Sequence, residues 1–270
     1  MKHKLLKTKN LAVVFGTFAP MHIGHVDLIT RAKRENDAAL VFVSGTNTEE
    51  DRGTRVGLHL KRRFRYVREV FHDDELVVVD KLDEEGIISE QNGLENWFKI
   101  LHELIKDNTD YQFEKITFYV GEEKDQKPLL SYFENVFNDE YLLGKSDTEF
   151  SDSIIKKEVG IKIIDKSIIP VSSAEILKKP LAHWRYITKP FRRHFTKKVL
   201  VVGSASGGKT TLIKDLGRIF NAPVSLEYAR YYQGVHNVRD DELDTNDYIR
   251  LFAYQNHHTS NIIDSGSHSG

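Results

Sequence analysis

The chain contains no cysteine, so disulfides, thiolate zinc sites and a cysteine nucleophile are excluded together. Neither charge is in excess. Its 39 Lys+Arg stand against 40 Asp+Glu, a formal net charge of −1, which argues against a strongly basic nucleic-acid binder and against an acidic tail. Long hydrophobic runs are missing too. The basic start Met1–Lys9 leads into the short apolar run Leu11–Phe15, too short for the core of a secretory signal. No stretch approaches the roughly 18 apolar residues of a membrane helix. A soluble, cytoplasmic protein with no nucleic-acid or membrane partner is the expectation, with homo-oligomerisation open. What is present is ordinary globular material, 40% hydrophobic and 29% charged over 270 residues. At about 150 residues per domain that is room for two cores.

Short apolar runs rich in β-branched residues recur at Leu11–Phe15, Ala39–Val43, Leu76–Val79, Ile116–Val120 and Ile161–Ile164. They hardly alternate, as expected of strands buried on both faces. Between them lie helical periods: Leu60, Phe64, Val67 and Phe71, then Leu94, Trp97, Leu101 and Leu104. This alternation predicts an α/β fold with a doubly wound parallel sheet, whose sites lie at the C-terminal ends of its strands. Lys178–Lys198 carries eight Lys/Arg, no acidic residue, and both Pro180 and Pro190. It reads as a basic interdomain connection, partly helical around Ala182–Tyr186, and some of its charges can serve a phosphate cleft. Lys198–Val202 then predicts the first strand of a second domain. The expected division is a first domain over 1–187, a linker over 188–197 and a second domain over 198–270.

The first strand runs into Gly16-Thr-Phe-Ala-Pro-Met-His-Ile-Gly-His25. A strand, a glycine turn and a helix start make an anion site, because free backbone N–H groups and the helix dipole face the ligand. Gly16, Thr17 and Phe18 are candidate phosphate-holding backbone, and Gly24 would let a phosphate approach the helix start. His22 and His25, three residues apart, project from similar faces of a first helical turn and can donate to a transferring phosphoryl group and its leaving group. The combination G-T-F-x-P-x-H-x-G-H resembles the signature of the nucleotidylyltransferase superfamily. The resemblance implies in-line attack of an acceptor phosphate on the α-phosphorus of ATP, with Mg2+, and with His22 and His25 as charge stabilisers. Members carry a second motif, I/V-S-x-T-x-I-R, at a helix start. Here it is Val171-Ser-Ser-Ala-Glu-Ile-Leu177. Ser172 is kept and can cap the helix, whereas Ala174 and Leu177 stand where the family has threonine and arginine. Leucine can neither pair nor hydrogen-bond with a triphosphate, so adenylyl transfer is expected to be slow or lost.

Gly203-Ser204-Ala205-Ser206-Gly207-Gly208-Lys209-Thr210 matches G-x-x-x-x-G-K-[ST] in full. It follows an apolar run and precedes the helical period of Leu212, Leu216 and Ile219. Backbone N–H groups from Gly203 to Thr211 would cradle phosphates, Lys209 would neutralise β/γ oxygens, and the Thr210 hydroxyl would bind Mg2+. No apolar strand ending in aspartate follows. The 73 residues from Lys198 to Gly270 fall short of the roughly 150 of a whole kinase domain, so only its N-terminal part is expected.

Taken with Asn92–Trp97, Lys179–Ile187 and Glu227–Arg230, the order of the two motifs resembles the NadR-type bifunctional nicotinamide-mononucleotide adenylyltransferases and ribosylnicotinamide kinases. That resemblance implies ATP, nicotinamide mononucleotide and nicotinamide riboside as substrates. It places Glu227 and Arg230 as substrate or phosphate contacts. Trp97 is a candidate to stack on a cationic nicotinamide ring, although its spacing also suits the apolar core of its helix.

Overall fold

A computed structural model describes residues 5–87, 92–121, 126–146, 155–165 and 168–265, with no side-chain description for 144–146. The chain divides into two units, Met1–Leu177 and Lys178–Gly270.

The first unit is built on five parallel strands: β1 (Asn10–Gly16), β2 (Ala38–Gly45), β3 (Val77–Asp83), β4 (Lys115–Val120) and β5 (Glu158–Ile163). Their order across the sheet is β3-β2-β1-β4-β5. Both neighbours of β1 run parallel to it, Val13 facing Leu40 of β2 and Phe118 of β4. The connections are α1 (Ile23–Glu35), the short α2 (Arg52–Arg55), α3 (Leu60–Val70), α4 (Gly93–Asn108), α5 (Gln126–Ser146) and α6 (Ser173–Lys178). β1 and β2 supply the least accessible residues, Leu11–Val14 and Ala38–Val43 being wholly buried, which is why these segments lack alternation. One core layer joins Leu11, Val13, Leu40 and Phe42 of the sheet to Phe98, Leu101 and Ile105 of α4 and Phe133 and Phe137 of α5. The chain leaves β1 in opposite directions towards β2 and β4, so the sheet reverses its winding there. The loop after β1 lies at that switch point, where parallel sheets open a crevice.

The second unit departs from the expected pattern. Lys198–Val202 is not a strand, and no strand occurs among the described residues of this unit. Val199, Leu200 and Val202 are 83%, 84% and 77% exposed. A strand is a paired state, so β-branched composition cannot form a ladder where no neighbouring strand accepts its N–H and C=O groups. The expected helix around Ala182–Tyr186 is a single 3-10 turn, Trp184–Tyr186. The expected linker 188–197 instead contains α7 (Lys189–Phe195), with Pro190 at its start, where a missing N–H costs nothing. Phe191 is fully buried. The helices α8 (Lys209–Ile219), α9 (Ala229–His236) and α10 (Thr245–Ser265) complete the unit. Arg193 clamps Asp264 near the end of α10 through Nε at 3.2 Å and Nη2 at 2.7 Å.

Candidate functional site

Two histidines open α1. His22 is the last extended residue before the helix, and the backbone N–H of His22 donates to Nδ1 of His25 at 3.2 Å. Because His25 Nδ1 accepts, its proton resides on Nε2, which leaves that nitrogen as a donor. The two rings stack with centroids 3.8 Å apart, and Phe18 meets His25 edge-on at 5.1 Å. His22 is buried, and its Nδ1 has no hydrogen-bond partner. Burial pushes the His22 pKa down to about 4, and burial together with the neighbouring His22 holds His25 well below the ordinary value. Both imidazoles are thus neutral at pH 7. Packed together, they can donate to an anion without the loss of a hydration shell around a pre-existing charge. A buried polar atom without a partner, aimed at the helix start, is what a phosphate oxygen would satisfy.

Gly24 serves these rings. A Cβ at Gly24 would lie 3.0 Å from His22 Nδ1, so the glycine makes room for the imidazole. Phe18, buried with φ 48°, occupies the left-handed region that bulky residues avoid. Surrounding structure must hold such a loop in place, and Arg63 of α3 does so. Its side chain is wholly buried; Nη1 donates to Thr17 O at 2.7 Å and Ser44 O at 2.8 Å, Nε to Leu58 O at 2.7 Å, and Nη2 to Asp51 Oδ1 at 2.8 Å. Glycines at 45 and 53 leave space for the guanidinium, since a Cβ at either would come within 2.7 Å of it. Four strong acceptors around one buried cation make a rigid clamp between the ends of β1 and β2. Sequence reasoning missed Arg63. The signal available was an arginine on the helix period of Leu60, Phe64 and Val67 whose neighbours in the fold are glycines.

The second motif meets the first directly. Ser173 Oγ donates to Pro20 O at 2.9 Å. Ser172 caps α6 reciprocally: its Oγ accepts from Glu175 N at 3.2 Å while the Glu175 carboxylate accepts from Ser172 N at 2.9 Å. Ala174 and Leu177 lie on this helix, half-buried, and supply neither hydroxyl nor cation.

Trp97 stands at the C-terminal end of the sheet. Its ring meets Phe15 at 5.2 Å and 71°, and Nε1 donates to Glu84 Oε1 at 2.9 Å just past β3. It is half-buried and packs on the core, so core contact and a site-facing edge coexist in one side chain.

In the second unit, Gly203 (φ 155°), Ser206 (φ 59°) and Gly208 (φ 78°) bend the loop around the start of α8. Lys209 Nζ donates to Gly203 O at 2.9 Å and Ser204 O at 2.7 Å, which draws the ammonium over the loop that its helix terminus faces. Thr210 follows in the first turn. No cluster of three or more His, Asp or Glu suited to a metal occurs among the described residues, so a Mg2+ at the Thr210 hydroxyl would take its other ligands from phosphates and water. Glu227 and Arg230 pair with each other at 3.8 Å across the start of α9, both exposed. Among the described residues no helix is long and apolar enough to cross a membrane.

Comparison with known proteins follows the same outline. The cytidylyltransferase-like family model matches residues 13–206. The trifunctional NAD biosynthesis/regulator protein NadR of Salmonella typhimurium is 25% identical over 256 residues, covering 91% of this chain and 55% of that protein. Its Escherichia coli counterpart is 25% identical over 249 residues, covering 90% and 55%. The chain therefore spans about half the length of these curated relatives. A crystal structure of NadR in complex with NR superposes with a TM-score of 0.73 at 39% identity, over 97% of this chain and 66% of that one. A second, with NAD and AMP-PNP, gives 0.69 at 39% identity, over 97% and 68%.

Proposed function

We propose, for a chain that belongs to the cytidylyltransferase-like family as a NadR-type member, that its first unit transfers AMP from ATP to nicotinamide mononucleotide, releasing pyrophosphate and forming NAD. The observation that carries this reading is the pair of neutral, stacked imidazoles at the β1–α1 turn, with His22 Nδ1 unpartnered and His25 Nε2 left to donate. An oxygen of the acceptor phosphate attacks the α-phosphorus in line; its bond to phosphorus forms as the bond to the bridging oxygen of pyrophosphate breaks. No protein nucleophile is needed, because the acceptor is already an anion. His22 and His25 act on the charge that spreads over the non-bridging and leaving oxygens, and the backbone at Gly16–Phe18, clamped by Arg63, holds the triphosphate in register. Mg2+ neutralises the phosphates when bound.

The second unit's loop suits the β- and γ-phosphates of ATP, with Lys209 exchanging two backbone carbonyls for phosphate oxygens. On this reading it belongs to phosphorylation of nicotinamide riboside, with Glu227 and Arg230 as substrate contacts. One feature favours a binding-only role for the first site instead: Ala174 and Leu177 in place of a hydroxyl and a cation.

The test is turnover by the purified chain. Mg-ATP with nicotinamide mononucleotide should yield NAD and pyrophosphate in equal amounts, and Mg-ATP with the riboside should yield the mononucleotide. ATP binding without either product would favour the binding-only role.

A further inference from the structure

Trp97 and Glu84 form a unit that the adenylyl-transfer chemistry does not use. Glu84 leaves the end of β3 with its backbone N–H on Gly45 O at 3.0 Å, and its half-buried carboxylate takes the indole N–H at 2.9 Å. The rings of Phe15 and Phe98 meet Trp97 at 71° and 76°, edge to face, and no ring is stacked on it among the described residues. Phe15 directly precedes Gly16, so this indole stands beside the turn that carries the phosphate site.

We infer that Glu84 is the residue that makes this site choose a mononucleotide whose pyridinium carries a carboxamide over one whose pyridinium carries a carboxylate. The inference rests on the acceptor being a pyridine mononucleotide. An indole that donates its N–H to a carboxylate becomes more electron-rich on its face, which strengthens its hold on a cationic ring. The same carboxylate attracts the fixed positive charge of the pyridinium. Against a ring bearing its own carboxylate it acts the other way, because two like charges at contact in a half-buried site repel strongly. Arg63 does not cancel this charge, since its guanidinium is already committed to Asp51 and three carbonyls. Glu84 thereby does two separable things: it orients the indole through a hydrogen bond, and it rejects an acidic ring through charge.

Calorimetric titration of the full chain with nicotinamide mononucleotide and with nicotinic acid mononucleotide separates them. The wild type should bind the amide at least tenfold more tightly than the acid. Glu84→Gln keeps an acceptor for the indole N–H and removes the charge. Its affinity for the amide should drop several-fold while that for the acid holds or improves, bringing the ratio to within about threefold. Glu84→Ala also frees the indole and should weaken both ligands. Equal binding of the two ligands by wild type, or an unchanged ratio in Glu84→Gln, overturns the inference. Adding Mg-ATP to the amide-loaded wild type tests the transfer reaction separately: a tenfold binding preference without NAD would remove the transferase reading and leave the role of Glu84 standing.

Discussion

The chain presents two glycine loops ahead of helices, and they are held in opposite ways. The loop after β1 is fixed by contacts distant in sequence: Thr17 O receives Arg63 from 46 residues away, and Pro20 O receives Ser173 from 153 away. The loop before α8 is fixed by its own residues, Lys209 reaching back only six and five positions to Gly203 and Ser204. The first loop forces Phe18 into a left-handed conformation and buries its histidines; the second uses glycines and a serine at its left-handed positions, and its residues 203–208 are all exposed. One phosphate site is a product of the fold, the other of a short sequence. Substitutions far from the ligand should therefore damage the first and spare the second.

The largest effect should come from Arg63→Ala. It leaves the Asp51 carboxylate and three carbonyls without their buried donor, a change that costs about 3–5 kcal/mol. Urea unfolding of the first unit should show that loss, while ATP binding by the P-loop stays intact. Next is His25→Ala. Removing one donor aimed at developing charge lowers kcat by about 10²–10³. Since Nε2 is the nitrogen left to donate, His25→Asn should recover less than a fully isosteric donor would; steady-state NAD formation measures both.

This contrast also explains what could be read from the sequence. The P-loop and the pair His22/His25 are visible in the sequence because their residues are consecutive or one helical turn apart. The five parallel strands of the first unit are visible because burial on both faces leaves only apolar residues in them. Arg63 is hidden, because an arginine on a helix face reads as solvated until the sheet brings Ser44 and Thr17 to it. Lys198–Val202 misleads for the complementary reason: its composition is that of a buried strand, but composition does not supply the neighbour that pairs with it. Glu84 belongs with Arg63, a charged residue whose meaning depends on a tryptophan thirteen positions on.

An intermediate effect concerns pH. The folded chain keeps His22 neutral down to about pH 4, whereas the unfolded chain takes up its proton near 6.5. Below pH 6.5 the unfolded state binds the extra proton, so stability is complete above that pH and declines as pH drops toward 4. For His22 alone the loss between pH 7.5 and 5 is about 2 kcal/mol, with His25 adding in the same direction. Urea midpoints at the two pH values should show it, and His22→Asn should flatten the dependence. Pyrophosphate, as an anion at the two rings, should raise both pKa values and so bind more tightly at pH 5.5 than at 7.5. Leu177→Arg comes after this. It returns a cation to the half-buried face of α6 beside the first motif, and adenylyl transfer should rise about tenfold, a gain of roughly 1.4 kcal/mol. An unchanged rate would mean that the turn at residue 177 does not face the triphosphate.

The smallest expected change in stability, and the sharpest test of the contrast, is Lys209→Ala. Lys209 donates only to carbonyls of its own solvent-facing loop, and losing such bonds shifts unfolding by no more than about 0.5 kcal/mol. The ammonium is nevertheless the loop's one fixed cation for the β- and γ-phosphates. Titration with a non-hydrolysable ATP analogue should therefore lose one of two sites while the melting temperature stays within about 2 °C. A drop of many degrees would show that the second loop, like the first, is held by its surroundings, and the distinction between a fold-made and a sequence-made phosphate site would collapse. Retention of both sites would instead mean that backbone N–H groups at the start of α8 suffice for the phosphates, with the lysine reserved for charge that develops during transfer.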